Sequence, residues 1–255
     1  MKGKTSFEQP MAQITKQPPR GAAALIIANG PSVDAVPADL WPRLRRRRGL
    51  LLIGTNRALA FAALHGTPLD AMVIRDTYRN LWHDQRWGCL YHERLWKPFA
   101  GWKVGPADRR VTHCDQFLRF AECWQARTYL DENGEAAVIA ASTVCLMAAN
   151  WAFLRGCRRI YFLGLDYHGQ HPRMVEPFDQ AEVGWQGQYD QSVPPRIEDQ
   201  FAASADAVAR LGGRLRNLSP GTRLKAVPSA TWNEVLGEPH ENRNRLRQPP
   251  LSRRR

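Results

Sequence analysis

Residues 22–34 read AAALIIANGPSVD. The apolar run 23–28 has the length of a buried strand, and Asn29-Gly30-Pro31-Ser32 breaks it before a helix-like start. Gly30 lets the backbone pass close to a neighbour, and Pro31 fixes φ as the chain turns. Ser32 or Asp34 can cap the helix that follows. A helix start of this kind offers unpaired N–H groups and a partial positive charge, which suits a phosphate. The same strand–turn–helix also occurs wherever parallel sheets form, so ligand and bare turn both remain open readings.

Working outward, further apolar runs repeat the pattern. Leu50-Leu51-Leu52-Ile53-Gly54 leads through Thr55-Asn56 into a helical pattern over 57–65, and a third run, Leu69 to Ile74, ends at Arg75-Asp76. Residues 33–44 read as a broken, proline-rich helix or loop. Ala136 to Leu154 predicts a long alanine-rich helix ended by Gly156, and Arg159 to Asp166 predicts the strongest strand. A loop over 167–196 follows, then a helix over 197–211 and a last strand over 214–218. Apolar strands alternating with helices imply an α/β fold: a Rossmann-like three-layer α/β/α arrangement with a mostly parallel sheet. Residues 77–135 hold five of the nine tryptophans, with one clear strand candidate, Trp102-Lys103-Val104. They read either as an inserted lid or as a helical layer with bulky anchors. The expected organisation is a disordered arm over 1–20, one nucleotide-binding transferase domain over 21–237, and a basic disordered tail over 238–255.

The 255 residues carry a formal net charge of +12, which favours an anionic partner: a nucleotide, a nucleic acid, an anionic glycan or an acidic membrane surface. Much of the excess is local, in Arg43 and Arg45 to Arg48 and in the arginines of 243–255. A solvated arginine-rich flank would read the same way. Five scattered cysteines without metal-ligand spacing imply reduced, mostly buried thiols and a cytoplasmic setting. No signal-peptide pattern and no run of 18 apolar residues is visible, so no transmembrane segment is expected.

In parallel sheets ligands sit beyond the carboxyl ends of the strands. That rule collects Asn29, Gly30, Pro31 and Ser32 after the first strand, and Thr55 and Asn56 after the second. It adds Asp76 after the third, Asp166, Tyr167 and His168 after the late strand, and Ser219 after the last. Ser142 and Thr143 fall at the start of the alanine-rich helix, where hydroxyls and N–H groups could meet a phosphate. Asparagine amides can read a base or ribose, and Asp76 and Asp166 could hold Mg²⁺ beside phosphates. Each has a plainer alternative: the asparagines can cap turns, Asp166 can bond backbone amides, and Asp76 can pair with Arg75 or Arg79. His168 and His171 alone make a weak metal signal. No Walker lysine, G-x-S-x-G or H-E-x-x-H motif occurs, which argues against a P-loop enzyme, an α/β-hydrolase and a zinc protease.

IIANGPSV with IGTN, then ASTVCLMAANWAFLRGCRRIYFLGLDYH, then the closing helix–strand–RNLSPGT resemble, in this order, one superfamily. It joins bacterial lipooligosaccharide sialyltransferases to 6-hydroxymethylpterin diphosphokinase (MptE-like) proteins and flagellin-modifying transferases. The resemblance covers residues 22–76 and 138–236. It implies a Rossmann-like domain in which Asn29, Gly30, Ser32 and Asn56 hold a cytidine nucleotide sugar. Ser142 and Thr143 would lie by its sugar or phosphate, with Tyr161 and Tyr167 candidates for the leaving phosphate. Those sialyltransferases carry a histidine general base shortly before the helix placed here at 197–211, where this chain reads Ser192-Val193-Pro194-Pro195-Arg196. Pro68 to Asp76 instead resembles the MptE-like pattern, which implies Mg²⁺-linked diphosphate chemistry.

The expected function is a nucleotide-donor-dependent transferase, sialyltransferase-like in moving a sugar to an anionic acceptor. Asp166, Tyr167, His168 and Asp76 are its candidate catalytic residues. The alternatives are an ATP- and Mg²⁺-dependent pyrophosphokinase and a protein that binds or modifies nucleic acid.

Overall fold

The computed structural model describes residues 20–77, 82, 84–106, 111–118, 143–168, 172–180 and 193–237. Seven strands form one sheet: β1 (Ala23–Ile27), β2 (Leu50–Thr55), β3 (Ala71–Val73), β4 (Trp102–Pro106), β5 (Gln116–Leu118), β6 (Arg159–Leu163) and β7 (Arg214–Asn217). Their order is β5-β4-β3-β2-β1-β6-β7, and every neighbouring pair is parallel. All five residues of β1 and all six of β2 are buried. Central parallel strands have both faces covered, so they need apolar residues without alternation.

The two faces separate by the period of the strand. Ala24, Ile26, Leu51, Ile53, Ile160 and Phe162 pack under α4 (Val144–Leu154) and α5 (Pro195–Arg210). Leu25, Ile27, Leu50, Leu52, Tyr161 and Leu163 face the other layer, formed by α1 (Leu40–Arg46), α2 (Ala58–Leu64) and α6 (Trp232–Leu236). The result is the three-layer Rossmann-like α/β fold that the sequence predicts. Every residue of α4 from Val144 to Phe153 is buried, Asn150 included, so this helix presents no wet face. Thr143 caps it, its hydroxyl accepting from the Cys145 amide at 3.2 Å, and Gly156 at φ +94° turns the chain away.

The described part of the tryptophan-rich segment joins the sheet. It carries α3 (Gln85–Tyr91), a π-helical turn (His92–Trp96), β4 and the unforeseen β5. Two further differences concern helices. The turn after β1 is only a 3-10 turn, Pro31–Val33, with α1 starting at Leu40. The described helix before β6 starts at Val144; residues 136–142 lie outside the described residues, as do 1–19 and 238–255. Cys89 is exposed, Cys114 half-buried, and Cys145 and Cys157 buried, all as free thiols, while Cys123 lies outside the described residues. Among the described residues no helix is long and apolar enough to cross a membrane.

The chain runs outward from β1 to β5 and then returns to lay β6 against the free side of β1. This reversal between β1 and β6 is the topological switch point, where such sheets open a crevice at their carboxyl ends.

Candidate active site at the strand reversal

Hydrogen bonds tie the loops at this crevice together across long stretches of sequence. The Ala28 amide donates to the Leu163 carbonyl at 2.7 Å and the Gly30 amide to the Gly164 carbonyl at 2.9 Å, so pairing continues past the strand ends. Gly164 takes φ +78°. Gly30 has no room for a side chain: a Cβ there would strike Asp166 Oδ2 and lie 2.6 Å from the Gly164 carbonyl oxygen.

Asp166 is 1% exposed and centres the network. Its Oδ2 accepts from the Ser32 amide at 3.0 Å and the Ser32 hydroxyl at 2.9 Å, whereas its Oδ1 is buried without a hydrogen-bond partner. Burial raises its pKa above the ordinary carboxylate range, and the two bonds from Ser32 pull it part of the way back. Ser32 Oγ also accepts from the Gly164 amide at 3.1 Å and lies 3.0 Å from Ser219 Oγ. Ser219 Oγ accepts from the Leu165 amide at 2.9 Å, and Asn217 Nδ2 donates to the Leu165 carbonyl at 3.2 Å. Turns after β1, β6 and β7 are therefore one bonded unit.

This arrangement corrects one expectation. The first turn is a three-residue 3-10 turn whose amides are already engaged: Gly30 with Gly164, Ser32 with Asp166, and Val33 with the Gly30 carbonyl at 3.3 Å, while Pro31 has none. An internal carboxylate stands where a phosphate was expected.

The second cluster lies at the carboxyl end of β2, next to β1. Thr55 is fully buried, and its hydroxyl donates to the Ile27 carbonyl at 3.2 Å, so it ties β1 to β2 and does not face a ligand. Asn56 takes φ +49°; its amide donates to the Val73 carbonyl at 3.1 Å and its own carbonyl accepts from the Tyr91 hydroxyl at 2.5 Å. Its side-chain Oδ1 is buried without a partner. Thr143 and the start of α4 belong to the helix that packs on β1 and β2, and burial pushes the Cys145 thiol up to about 11. Sequence reasoning missed Arg57. It is 5% exposed, its guanidinium lies 5.3 Å from the Trp82 ring, and burial lowers it to about 10. An arginine after a strand carries no sequence mark of burial.

Other expected residues separate. Tyr161 lies mid-strand, 1% exposed in the α1/α6 layer, with its hydroxyl donating to the Glu234 carbonyl at 3.3 Å, so it does not reach the crevice. Tyr167, at φ +57°, and His168 are half-buried just beyond Asp166, and Asn29 is half-buried beside Gly30. Ser142 and His171 lie outside the described residues. Asp76 is half-buried beyond β3. β3 and β6 are three inter-strand steps apart, roughly 14 Å. The strand ends therefore do not bring Asp76 to Asp166 for a shared cation, and no group of three His, Cys, Asp or Glu side chains gathers for one among the described residues. On the α6 side of the crevice a cavity of about 310 Å³ opens beside Ser32, lined by Leu163, Leu218, Pro220, Thr231 and Trp232 among others. Its size is at the small end of small-molecule sites.

Fold and crevice define the class: a Rossmann-like α/β domain with a carboxyl-edge cleft at its strand reversal. Among solved structures it is similar to the MAf glycosyltransferase from Magnetospirillum magneticum AMB-1, with a TM-score of 0.54 at 15% identity. That likeness covers 83% of this chain and 34% of the other, so the chain spans about a third of that protein's length. No family model and no curated protein matches the chain.

Proposed function

We propose that this chain is a nucleotide-donor-dependent transferase of the glycosyltransferase type, moving a sugar from a nucleotide sugar to an acceptor. The observation that carries the reading is the convergence at one sheet edge. Asn56, Asn29 and Asp166 follow the adjacent strands β2, β1 and β6. The similarity in fold to a glycosyltransferase supports it.

In this reading Asn29 and Asn56 pair with base or ribose. The buried, unpartnered Asn56 Oδ1 supports a ligand donor at that position. The start of the eleven-residue α4 faces the donor phosphates, with the Cys145 amide held by the Thr143 hydroxyl and its neighbours left for the ligand. Tyr167 and His168 close over the reacting centre, with the His168 imidazole the group that moves the proton. Asp166 positions the β1 turn through the two bonds it accepts from Ser32. Catalysis then rests on orientation and on stabilising the departing phosphate.

A thermal-shift screen of CMP, CDP, UDP, GDP and ATP, each with and without Mg²⁺, tests the proposal. One pyrimidine or guanine nucleotide should stabilise the protein, by about 2.7 kcal/mol at 100 times its dissociation constant. Stabilisation by ATP with Mg²⁺ alone would transfer the site to pyrophosphoryl chemistry. No shift with any nucleotide overturns the proposal.

A further inference from the structure

At the opposite end of the sheet, Asp70 and Asp115 enter β3 and β5, whereas the side built from β2, β1, β6 and β7 is basic. At the amino ends of the strands, the Ala22 amide donates to the Gly49 carbonyl at 2.9 Å, the Arg158 amide to the Ala22 carbonyl at 3.1 Å and the Arg214 amide to the Arg158 carbonyl at 2.7 Å. The loops entering β2, β1, β6 and β7 thus form one continuous rim. Arg48, Arg20, Arg158, Arg210 and Arg214 are exposed on it, with Arg159 half-buried among them. No aspartate or glutamate occurs in residues 20–33, 40–69, 143–165 or 207–233. The neighbouring acid on α5 is Asp206, one turn before Arg210. Like charges crowd here: Arg47 is lowered by burial and then by Arg159, and Arg155 by burial and then by Arg20.

Between the arginines the rim offers only glycine, alanine, cysteine and leucine: Gly21, Ala22, Gly49, Gly156, Cys157 and 211–213. Leu211 is 46% exposed between Arg210 and Arg214. Proteins that grip a nucleic-acid backbone supplement their cations with serine, threonine, asparagine and glutamine donors, and none stands on these loops. Arginines around a protruding aliphatic side chain instead match an acidic lipid interface, where charge meets headgroup and the apolar tip enters the acyl boundary. We infer that the amino-end rim of the sheet is a docking surface for an anionic phospholipid bilayer, which would leave the crevice at the far end of the strands open to the aqueous phase.

The test is co-sedimentation of the full chain with vesicles of phosphatidylcholine alone and of phosphatidylcholine with phosphatidylglycerol. The chain should bind only the acidic vesicles. Arg48→Ser/Arg158→Ser/Arg214→Ser should weaken that binding by about 100-fold, about five-fold for each arginine. Arg86→Ser/Arg173→Ser/Arg196→Ser removes the same charge elsewhere and should cost far less, and Leu211→Ser should weaken binding without altering net charge. The substituted side chains are exposed or lie at the surface, and circular dichroism verifies folding of each variant. No binding by the parent chain, or equal losses from the two triple variants, overturns the inference. So does a rim variant that loses duplex DNA yet keeps its affinity for acidic vesicles; nucleic acid would then be the partner.

Discussion

Asp166 holds Ser32 through a single oxygen. Its Oδ2 takes both the amide and the hydroxyl of a residue 134 positions earlier in the chain, at 3.0 and 2.9 Å. Asp166→Ala would strand both donors in a buried site. With hydrogen bonds to a charged acceptor worth roughly 1.5–3 kcal/mol each, a loss of about 3 kcal/mol in urea unfolding is expected. A loss under about 1 kcal/mol would mean the carboxylate is not the tie described here.

The same residue predicts a pH dependence. Burial raises its folded pKa, so the folded chain keeps the proton to higher pH than the unfolded chain does. Its contribution to stability is fully present below the unfolded carboxylate range and is lost as pH rises through the raised folded value. In Asp166→Asn that loss disappears. Stability relative to the parent should climb across this acidic window and level off above it. Urea midpoints measured over the window check this, and a constant difference would show ordinary titration.

Gly30→Ala places a methyl group against Asp166 Oδ2 and the Gly164 carbonyl oxygen, neither of which can retreat without breaking a described bond. Overpacking of this kind costs about 1–3 kcal/mol. Nucleotide-induced stabilisation should fall with it. Calorimetric unfolding with and without nucleotide separates the two effects.

Asn56 sits at φ +49°, so glycine replaces it without backbone strain. Asn56→Gly should leave unfolding close to the parent, because its Oδ1 makes no internal bond. Nucleotide affinity should drop by about 1–3 kcal/mol, the scale of one buried hydrogen bond. Titration calorimetry showing unchanged affinity would remove Asn56 from the site.

Tyr91→Phe deletes the hydroxyl that donates to the Asn56 carbonyl. A stability loss of about 1 kcal/mol is expected. A weaker nucleotide response than the parent should accompany it, since Asn56 is then less firmly placed.

The central strands were legible because both faces of a parallel sheet are buried, leaving uninterrupted apolar runs such as Leu50 to Ile53. β5 was not, because three residues at a sheet edge, Gln116–Leu118, carry no periodic signal. Among site residues, the rule of carboxyl ends gathered Asn29, Ser32, Asn56, Asp166 and Ser219 at one edge. It could not say which side chains spend their polar atoms on one another. Thr55 and Ser32 look like ligand contacts in sequence and are partly or wholly consumed by Ile27 and Asp166. Tyr161 was misplaced because strand alternation sets it beside Leu163, facing α6 from mid-strand. Arg57 escaped notice because only the folded chain buries it and brings the Trp82 ring over its guanidinium.

The return of β6 to β1 also bears on how the protein is made. β1 has left the ribosome long before its second partner, which ends at Leu163. At about 5–20 residues per second, that interval is on the order of 10 seconds. Throughout it one side of the nascent β1 has no strand to pair with, and the Ser32 amide has no carboxylate. Completion of the cleft is therefore a late event in synthesis, and the half-built sheet is the stage most exposed to wrong partners.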